Sequence, residues 1–286
     1  MANNNNNEIT LNPPSDTNLP FFAYGIFKPG QLAYSRIKSC VKNHFEHEID
    51  YEMLMRDGVP LITPQQNKTH NKTVGNLIYF NDEECSKKAY EIISKTHSEK
   101  LYAWEEIKVG ENKANVLMGV NPDMGSYHIE GSIGNYDGRD DPYFKEAIEV
   151  VENELNDKNK RWHNINDFFK LQMSYMLLWT AVERYASLKY NNTSSKINQL
   201  SKDALFKKSL KKHFTSKRTV YSAENLRDHT LDCENSYESV RYYYTVRCNV
   251  AHRGKAIHAD DEIIRQSLKE LLEIFKDILK DTFDKE

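Results

Sequence analysis

The apolar residues of this 286-residue chain change their spacing near Asp141, and that change limits the folds open to it. Before it, short apolar blocks and alternations stand between turn signals, as strands require. Leu19-Pro-Phe-Phe-Ala-Tyr-Gly-Ile is a strand ending in a turn, and Gly30 to Val41 is a short helix. Tyr51 to Ile62 is strand material broken by the hairpin signal Asp57-Gly58, and Thr73 to Phe80, Tyr102 to Val109 and Ala114 to Val120 are further strands. One helix intervenes, capped by Asn81 or Asp82 and running to about Lys95. After Asp141 the spacing is helical. Phe144, Ile148, Val151 and Leu155 form one row, and Asn166-Asp167 cap a second helix with Phe168, Leu171, Tyr175, Leu178 and Val182 on its face. Ile263, Leu268, Leu271, Phe275 and Ile278 stripe a last helix, begun at Asp260 or Asp261. The reading is α+β: a mixed domain over 19–140, then an all-α bundle over 141–286, with a polar tail over 1–18 expected to be disordered.

The bulk numbers exclude several classes. A net charge of −3 excludes a generic nucleic-acid coat, although a local basic patch can still hold RNA. No apolar run approaches a membrane span, and the polar start lacks the apolar core of a secretory signal. Cys40, Cys85, Cys233 and Cys248 form no Cys-x-x-Cys pair, which suits reduced thiols in a cytoplasm rather than a disulfide framework or zinc site. No metal or cofactor is expected.

Most chemistry lies in Tyr242-Tyr-Tyr-Thr-Val-Arg247-Cys-Asn-Val-Ala-His252-Arg-Gly-Lys255. A guanidinium grips phosphate with a rigid fork of donors, and an imidazole moves protons near neutral pH. Five positions make about 1.4 helical turns, so both side chains are expected to lean toward one pocket. Together they can cleave RNA without a metal, Arg247 holding the scissile phosphate and His252 serving as general acid or base. Asn249 and Lys255 are the expected helpers, and Glu183 reads either as a partner that orients Arg247 or as a surface residue in the neighbourhood of Arg184. The cations Lys207, Lys208, Lys211, Lys212, Lys217 and Arg218, interleaved with Phe206, Leu210 and Phe214, read equally as a phosphate-tracking surface and as a solvated helix face. Tyr242, Tyr243 and Tyr244 read as packing residues, with one facing a substrate base.

Over roughly the last 120 residues this arrangement resembles the HEPN family of helical-bundle domains, with Arg247 and His252 on the Arg-x4-His positions and a Gly-containing turn after them. Cys248 stands where that family usually carries a polar residue. The resemblance implies an endoribonuclease, a two-fold dimer with motifs facing one another, and a role as toxin or antiphage effector.

The first region resembles the gamma-glutamylcyclotransferase-like fold, a small, partly open barrel with flanking helices. Four segments carry the likeness in order: Phe22-Ala-Tyr-Gly-Ile-Phe-Lys-Pro-Gly30, Asp57-Gly-Val-Pro-Leu-Ile-Thr-Pro64, Val74-Gly-Asn-Leu-Ile-Tyr79 and Glu99-Lys-Leu-Tyr102. It implies that the loop Tyr24, Gly25, Ile26 and Phe27 binds a small gamma-glutamyl or amino-acid-like ligand through backbone N–H groups. Glu99, or less favourably Glu105, then takes the proton-shuttling role. Ile26 replaces the usual loop hydroxyl and Thr96 the usual acidic residue, so a sensor or regulatory role stands beside catalysis. The leading expectation is a ribonuclease with a cyclotransferase-like regulatory domain. The alternatives are a cyclotransferase with a helical dimerisation domain and a non-catalytic RNA- or nucleotide-binding module.

Overall fold

The computed structural model describes residues 10–64, 71–128, 133–161, 164–190, 195–222, 226–253 and 260–284. It is a mixed α and β structure with a mixed sheet and a C-terminal helical region. Two compact units meet at Asp141/Pro142. No helix among the described residues is long and apolar enough to cross a membrane.

In the first unit the main sheet has the strand order β2 (Val41–Ile49), β5 (Lys72–Phe80), β1 (Phe21–Ala23), β7 (Asn112–Gly119), β6 (Tyr102–Val109). Strand β1 runs antiparallel to β5 and parallel to β7, and β9 (Ile133–Gly134) pairs with β5. A second sheet is built from β4 (Val59–Pro64), β3 (Tyr51–Arg56) and β8 (Ser126–His128). Asp57 and Gly58 both take positive φ, 51° and 71°, as the two-residue turn between β3 and β4 demands. Helix α1 (Glu83–Thr96) starts where the Asp82 side chain accepts from Cys85 N–H at 2.8 Å. Tyr90 of this helix lies in the core among Phe21, Phe80 and Trp104, and its hydroxyl donates to Leu19 O at 2.7 Å.

Three expectations need correction here. Residues 30–41 form two short 3-10 turns, Leu32–Arg36 and Lys38–Cys40, rather than one helix. The nine-residue strand β2 went unforeseen because its sequence, Val-Lys-Asn-His-Phe-Glu-His-Glu-Ile, is exposed along most of its length and shows no apolar alternation. Residues 10–18 are not a disordered tail: Thr10 bridges Ser98, Leu11 N–H donates to His97 O, and Asp16 O accepts from the Asn115 side chain at 2.7 Å. Residues 1–9 lie outside the described residues.

The second unit is built on α2 (Pro142–Asn156), α3 (Ile165–Lys189), α4 (Lys196–Lys202), α5 (Ala204–His213), α6 (Ser236–Arg253) and α7 (Asp261–Phe283). The core joins Phe144 and Val151 of α2, Leu171, Tyr175 and Leu178 of α3, Val240 and Tyr243 of α6, and Leu268, Leu271, Phe275 and Ile278 of α7, all buried. Each such side chain stabilises by about 1.5–3 kcal/mol when withdrawn from water. The cap of α3 is Asn164, whose side chain accepts from Asn166 N–H, two residues earlier than expected. Asp260 occupies the cap position of α7 but makes no side-chain cap bond, while Asp261 accepts from Glu262 N–H.

The region is not all-α. Strands β10 (Arg218–Ser222) and β11 (Arg227–Leu231) form an antiparallel hairpin between α5 and α6. Arg218 binds Glu270 of α7 through paired donors, Nη1 to Oε1 at 3.0 Å and Nη2 to Oε2, with side chains only 11% and 6% exposed. Tyr243 donates to the same carboxylate at 3.3 Å, and the Tyr242 hydroxyl shares a bond with Ser267 at 3.0 Å. One buried acid therefore joins hairpin, α6 and α7.

Candidate functional site

Helix α6 carries the Arg-x4-His motif. Its buried row, Ser239, Val240, Tyr242, Tyr243 and Val246, faces the core, leaving Arg247 part-exposed at the edge. The Arg247 guanidinium carbon lies 6.0 Å from the Tyr244 ring centroid, and that ring tilts against Trp179 at 5.9 Å. The Arg247 Nε and Trp179 Nε1 atoms are both buried without a hydrogen-bond partner. Among the described residues no carboxylate pairs with Arg247.

The expected Glu183 partnership does not form. Tyr175 donates to Tyr243 O at 3.0 Å, and Phe168 shares a groove with Val246 and Asn249, so α3 and α6 run antiparallel. That register separates Glu183 from Arg247 by about 18 Å along the helices.

The backbone of α6 sets where the two motif positions stand. The helix is unbroken from Ser236 to Arg253, so positions 247 and 252 are about 140° apart around its axis. Within one chain they occupy adjoining faces rather than the same one. The His252 side chain lies outside the described part of the structure, and Lys255 and His258 lie outside the described residues altogether.

One side-chain N–H of Asn249 donates to Tyr221 O at 2.9 Å and ties α6 to the hairpin. The residue lines a shallow groove with Phe168, Val246, Val250, Asp260 and Ile263. Arg247 does not line that groove. Of the three tyrosines, Tyr242 and Tyr243 are sealed in the core and only Tyr244 is part-exposed.

Most cations of the basic run carry carboxylate partners, at exposed positions for the lysines. Lys208 pairs with Asp281 at 2.6 Å, Lys211 with Glu234 at 2.9 Å, Lys212 with Asp277 at 2.8 Å, Lys217 with Asp232 at 2.6 Å, and Arg218 with Glu270. His213 also reaches Asp277, at 2.8 Å. Burial raises the Asp277 pKa, but bonds from Lys212 and His213 outweigh it and bring the group to about 2. Of the run, only Lys207 takes no carboxylate partner among the described residues.

In the first unit the Tyr24–Phe27 loop follows β1 directly. Tyr24, Ile26 and Phe27 are buried, and the Tyr24 hydroxyl donates to Leu117 O at 2.6 Å, so their side chains serve packing. A Cβ on Gly25 would stand 2.8 Å from Pro60 Cγ, so the loop can lie this close only with glycine. The N–H groups of Gly25, Ile26 and Phe27 donate to no protein acceptor among the described residues. Three successive unpaired donors in a largely buried loop call for an outside acceptor.

Both acids expected to move a proton are exposed. Glu99 stands on the turn after α1 and Glu105 on β6. The titratable group beside the loop is His97, whose ring lies 5.9 Å from Phe27 and 4.8 Å from Tyr102. Burial, reinforced by the Arg36 charge and opposed by a hydrogen bond to Ile93 O, lowers its pKa to about 4, so the ring is neutral at physiological pH. Nothing in the sequence around His97 marks it: its position between loop and strand exists only in three dimensions.

Among the described residues no group of three or more His, Cys, Asp or Glu side chains is placed to hold a metal ion. Comparison with known protein families, characterised proteins and solved structures returns no match to this chain.

Proposed function

We propose that the helical unit is a metal-independent endoribonuclease completed by a second copy of the chain, and that the first unit binds a small ligand that regulates it. The observation that carries this reading is Arg247: a part-exposed guanidinium stacked on Tyr244 with no carboxylate beside it, while the basic run nearby is almost wholly paired. An unpaired guanidinium is available to a phosphate. In this reading Arg247 stabilises the charge developing on the scissile phosphate. His252 takes the proton from the neighbouring 2′-hydroxyl or gives one to the leaving 5′-oxygen, so the products are a cyclic phosphate end and a 5′-hydroxyl.

Residues 247 and 252 diverge on one helix, so the complete site draws one member of the pair from each copy. Ile165, Phe169 and Met173, 40%, 49% and 70% exposed, form an apolar stripe at i, i+4, i+8 on α3. The antiparallel register sets that stripe level with residues 245–253, which suits a two-fold contact at the motif.

The test is incubation of the purified chain with labelled single-stranded RNA in EDTA, beside Arg247→Ala and His252→Ala. The wild type is expected to leave cyclic phosphate ends and each variant to lose at least 100-fold in rate. Cleavage that survives both substitutions defeats the proposal, and binding without cleavage favours a non-catalytic module. The unpaired N–H groups of Gly25, Ile26 and Phe27 favour ligand binding by the first unit, whether or not it is catalytic. Release of 5-oxoproline from a gamma-glutamyl peptide, lost in Glu99→Gln, would instead make it a cyclotransferase.

A further inference from the structure

Cys40 and Cys85 share no sequence motif, yet the fold of the first unit brings their thiols together. Val41 pairs with Phe80 where β2 begins and β5 ends, so Cys40 stands level with Asn81, whose N–H donates to Cys40 O at 2.9 Å. The Asn81 side chain donates to Ser39 O at 3.2 Å, and Cys85 N–H donates to the Asp82 cap at 2.8 Å. These bonds hold the turn Lys38–Cys40 against the first turn of α1. Across that contact the Cys40 and Cys85 side chains bond to one another. Cys40 is buried and Cys85 is part-exposed.

The neighbouring turn holds the far end of the same helix. Arg36 closes the turn Leu32–Arg36, and its Nη2 donates to Thr96 Oγ1, the last residue of α1, at 2.7 Å. Residues 32–40 are thus fastened to α1 near both of its ends, by a charged hydrogen bond at one and by two thiols at the other. A thiol is a weak donor and a weak acceptor, so the second fastening is slight as it stands. Cys233 and Cys248 lie in the second unit and take no part in it.

We propose that Cys40 and Cys85 are a modification site, joined in a reversible disulfide by exchange with the disulfide of a small thiol such as oxidised glutathione, and that the bond staples the turn Lys38–Cys40 to α1. Cys85, the thiol that solvent reaches, loses its proton and attacks one sulfur of the small disulfide. That S–S bond breaks, a mixed disulfide forms on Cys85, and one small thiol leaves with the proton. Cys40 then loses its proton, attacks Cys85 Sγ and expels the second small thiol. The protein gives up two electrons and two protons, and one small disulfide becomes two thiols. Burial first, then the bond and charge of Cys40 and the charge of Asp82, raise the Cys85 pKa against a bond to Asn81 that lowers it. Thiolate is therefore scarce near neutral pH, and the pair answers sustained disulfide stress rather than a brief pulse. Once formed, the bond closes the chain from β2 through β5 into a loop and restricts the unfolded state.

The proposal is independent of the nuclease chemistry and of ligand binding by the first unit. It is tested on the full chain, held without denaturant in mixtures of reduced and oxidised glutathione, then quenched with acid and alkylated for peptide mass spectrometry. The expected product is a peptide pair linked through Cys40 and Cys85 and released by dithiothreitol. Cys40→Ala should stop at one glutathione held on Cys85, and Cys85→Ala should leave Cys40 a free thiol. The linked wild type should unfold at a midpoint at least about 5 °C above the reduced protein, and glutathione-treated Cys40→Ala should show no such rise. Glutathione left on Cys85 of the wild type with no link, a link made instead through Cys233 or Cys248, or equal midpoints for linked and reduced protein would each overturn the proposal. Those three results are read from the unsubstituted chain, so they stand even where a variant fails to fold.

Discussion

His97 has its protonated ring nitrogen fixed by Ile93 and a pKa near 4, and this has a measurable effect on stability. The unfolded chain binds a proton at His97 near pH 6.5, whereas the folded chain binds one only near pH 4. Between those values the unfolded state holds more protons, so stability falls as pH falls through that window and is level above it. Unfolding of the wild type followed from pH 7 to 4.5 should therefore lose on the order of 2 kcal/mol relative to His97→Asn. Parallel pH profiles would refute this. At this scale the sequence marked the segment from Tyr24 to Phe27 and the cation Arg247, because glycine placement and motif spacing are local. It drew attention to Glu99 and not to the buried ring of His97. Two residues along a turn separate an exposed carboxyl from a ring packed between Phe27 and Tyr102, and no local pattern records which one turns inward.

At the scale of elements, the hairpin β10–β11 is the part of the second unit least visible beforehand. Its strands bury only alternate residues, Val220 and Ser222 on one and His229 and Leu231 on the other, and charged neighbours mask that alternation. Helix α7 was plain because its stripe repeats over 23 residues. The hairpin is bound to the helices by Arg218–Glu270 and by Asn249 to Tyr221. Glu270→Gln leaves a buried guanidinium without its counter-charge and is expected to cost about 3 kcal/mol. Replacing both partners with Leu should recover most of that loss. Chemical denaturation of the two variants decides it, and a double variant no more stable than the single one would mean that the pair is needed for more than mutual neutralisation.

For the whole molecule, the ion pairs of the basic run bear on the proposed contact with RNA. With Lys208, Lys211, Lys212, Lys217 and Arg218 engaged, that run offers few unpaired cations to displace counterions from a polynucleotide. The logarithm of RNA affinity should therefore fall with the logarithm of salt at a slope of about −1 to −2, measured by fluorescence anisotropy. A slope beyond about −5 would mean that the paired lysines release their carboxylates to bind. Each unit has its own buried core, so residues 142–286 alone are expected to fold cooperatively, with helical circular dichroism and a single unfolding transition. A non-cooperative, molten product would contradict this. The change of pattern at Asp141 was legible because apolar periodicity is a property of long segments. The exposed strand β2 was not, since an edge strand that buries little leaves almost no hydrophobic trace.

The unbroken course of α6 sets a rule for dosage. Under the proposed chemistry, a rigid rod whose positions 247 and 252 stand about 140° apart around its axis cannot act in isolation. At low abundance the cutting rate would then grow with the square of protein concentration. A cell making a trickle of this chain would be spared, while one making several times more would cross abruptly into RNA loss.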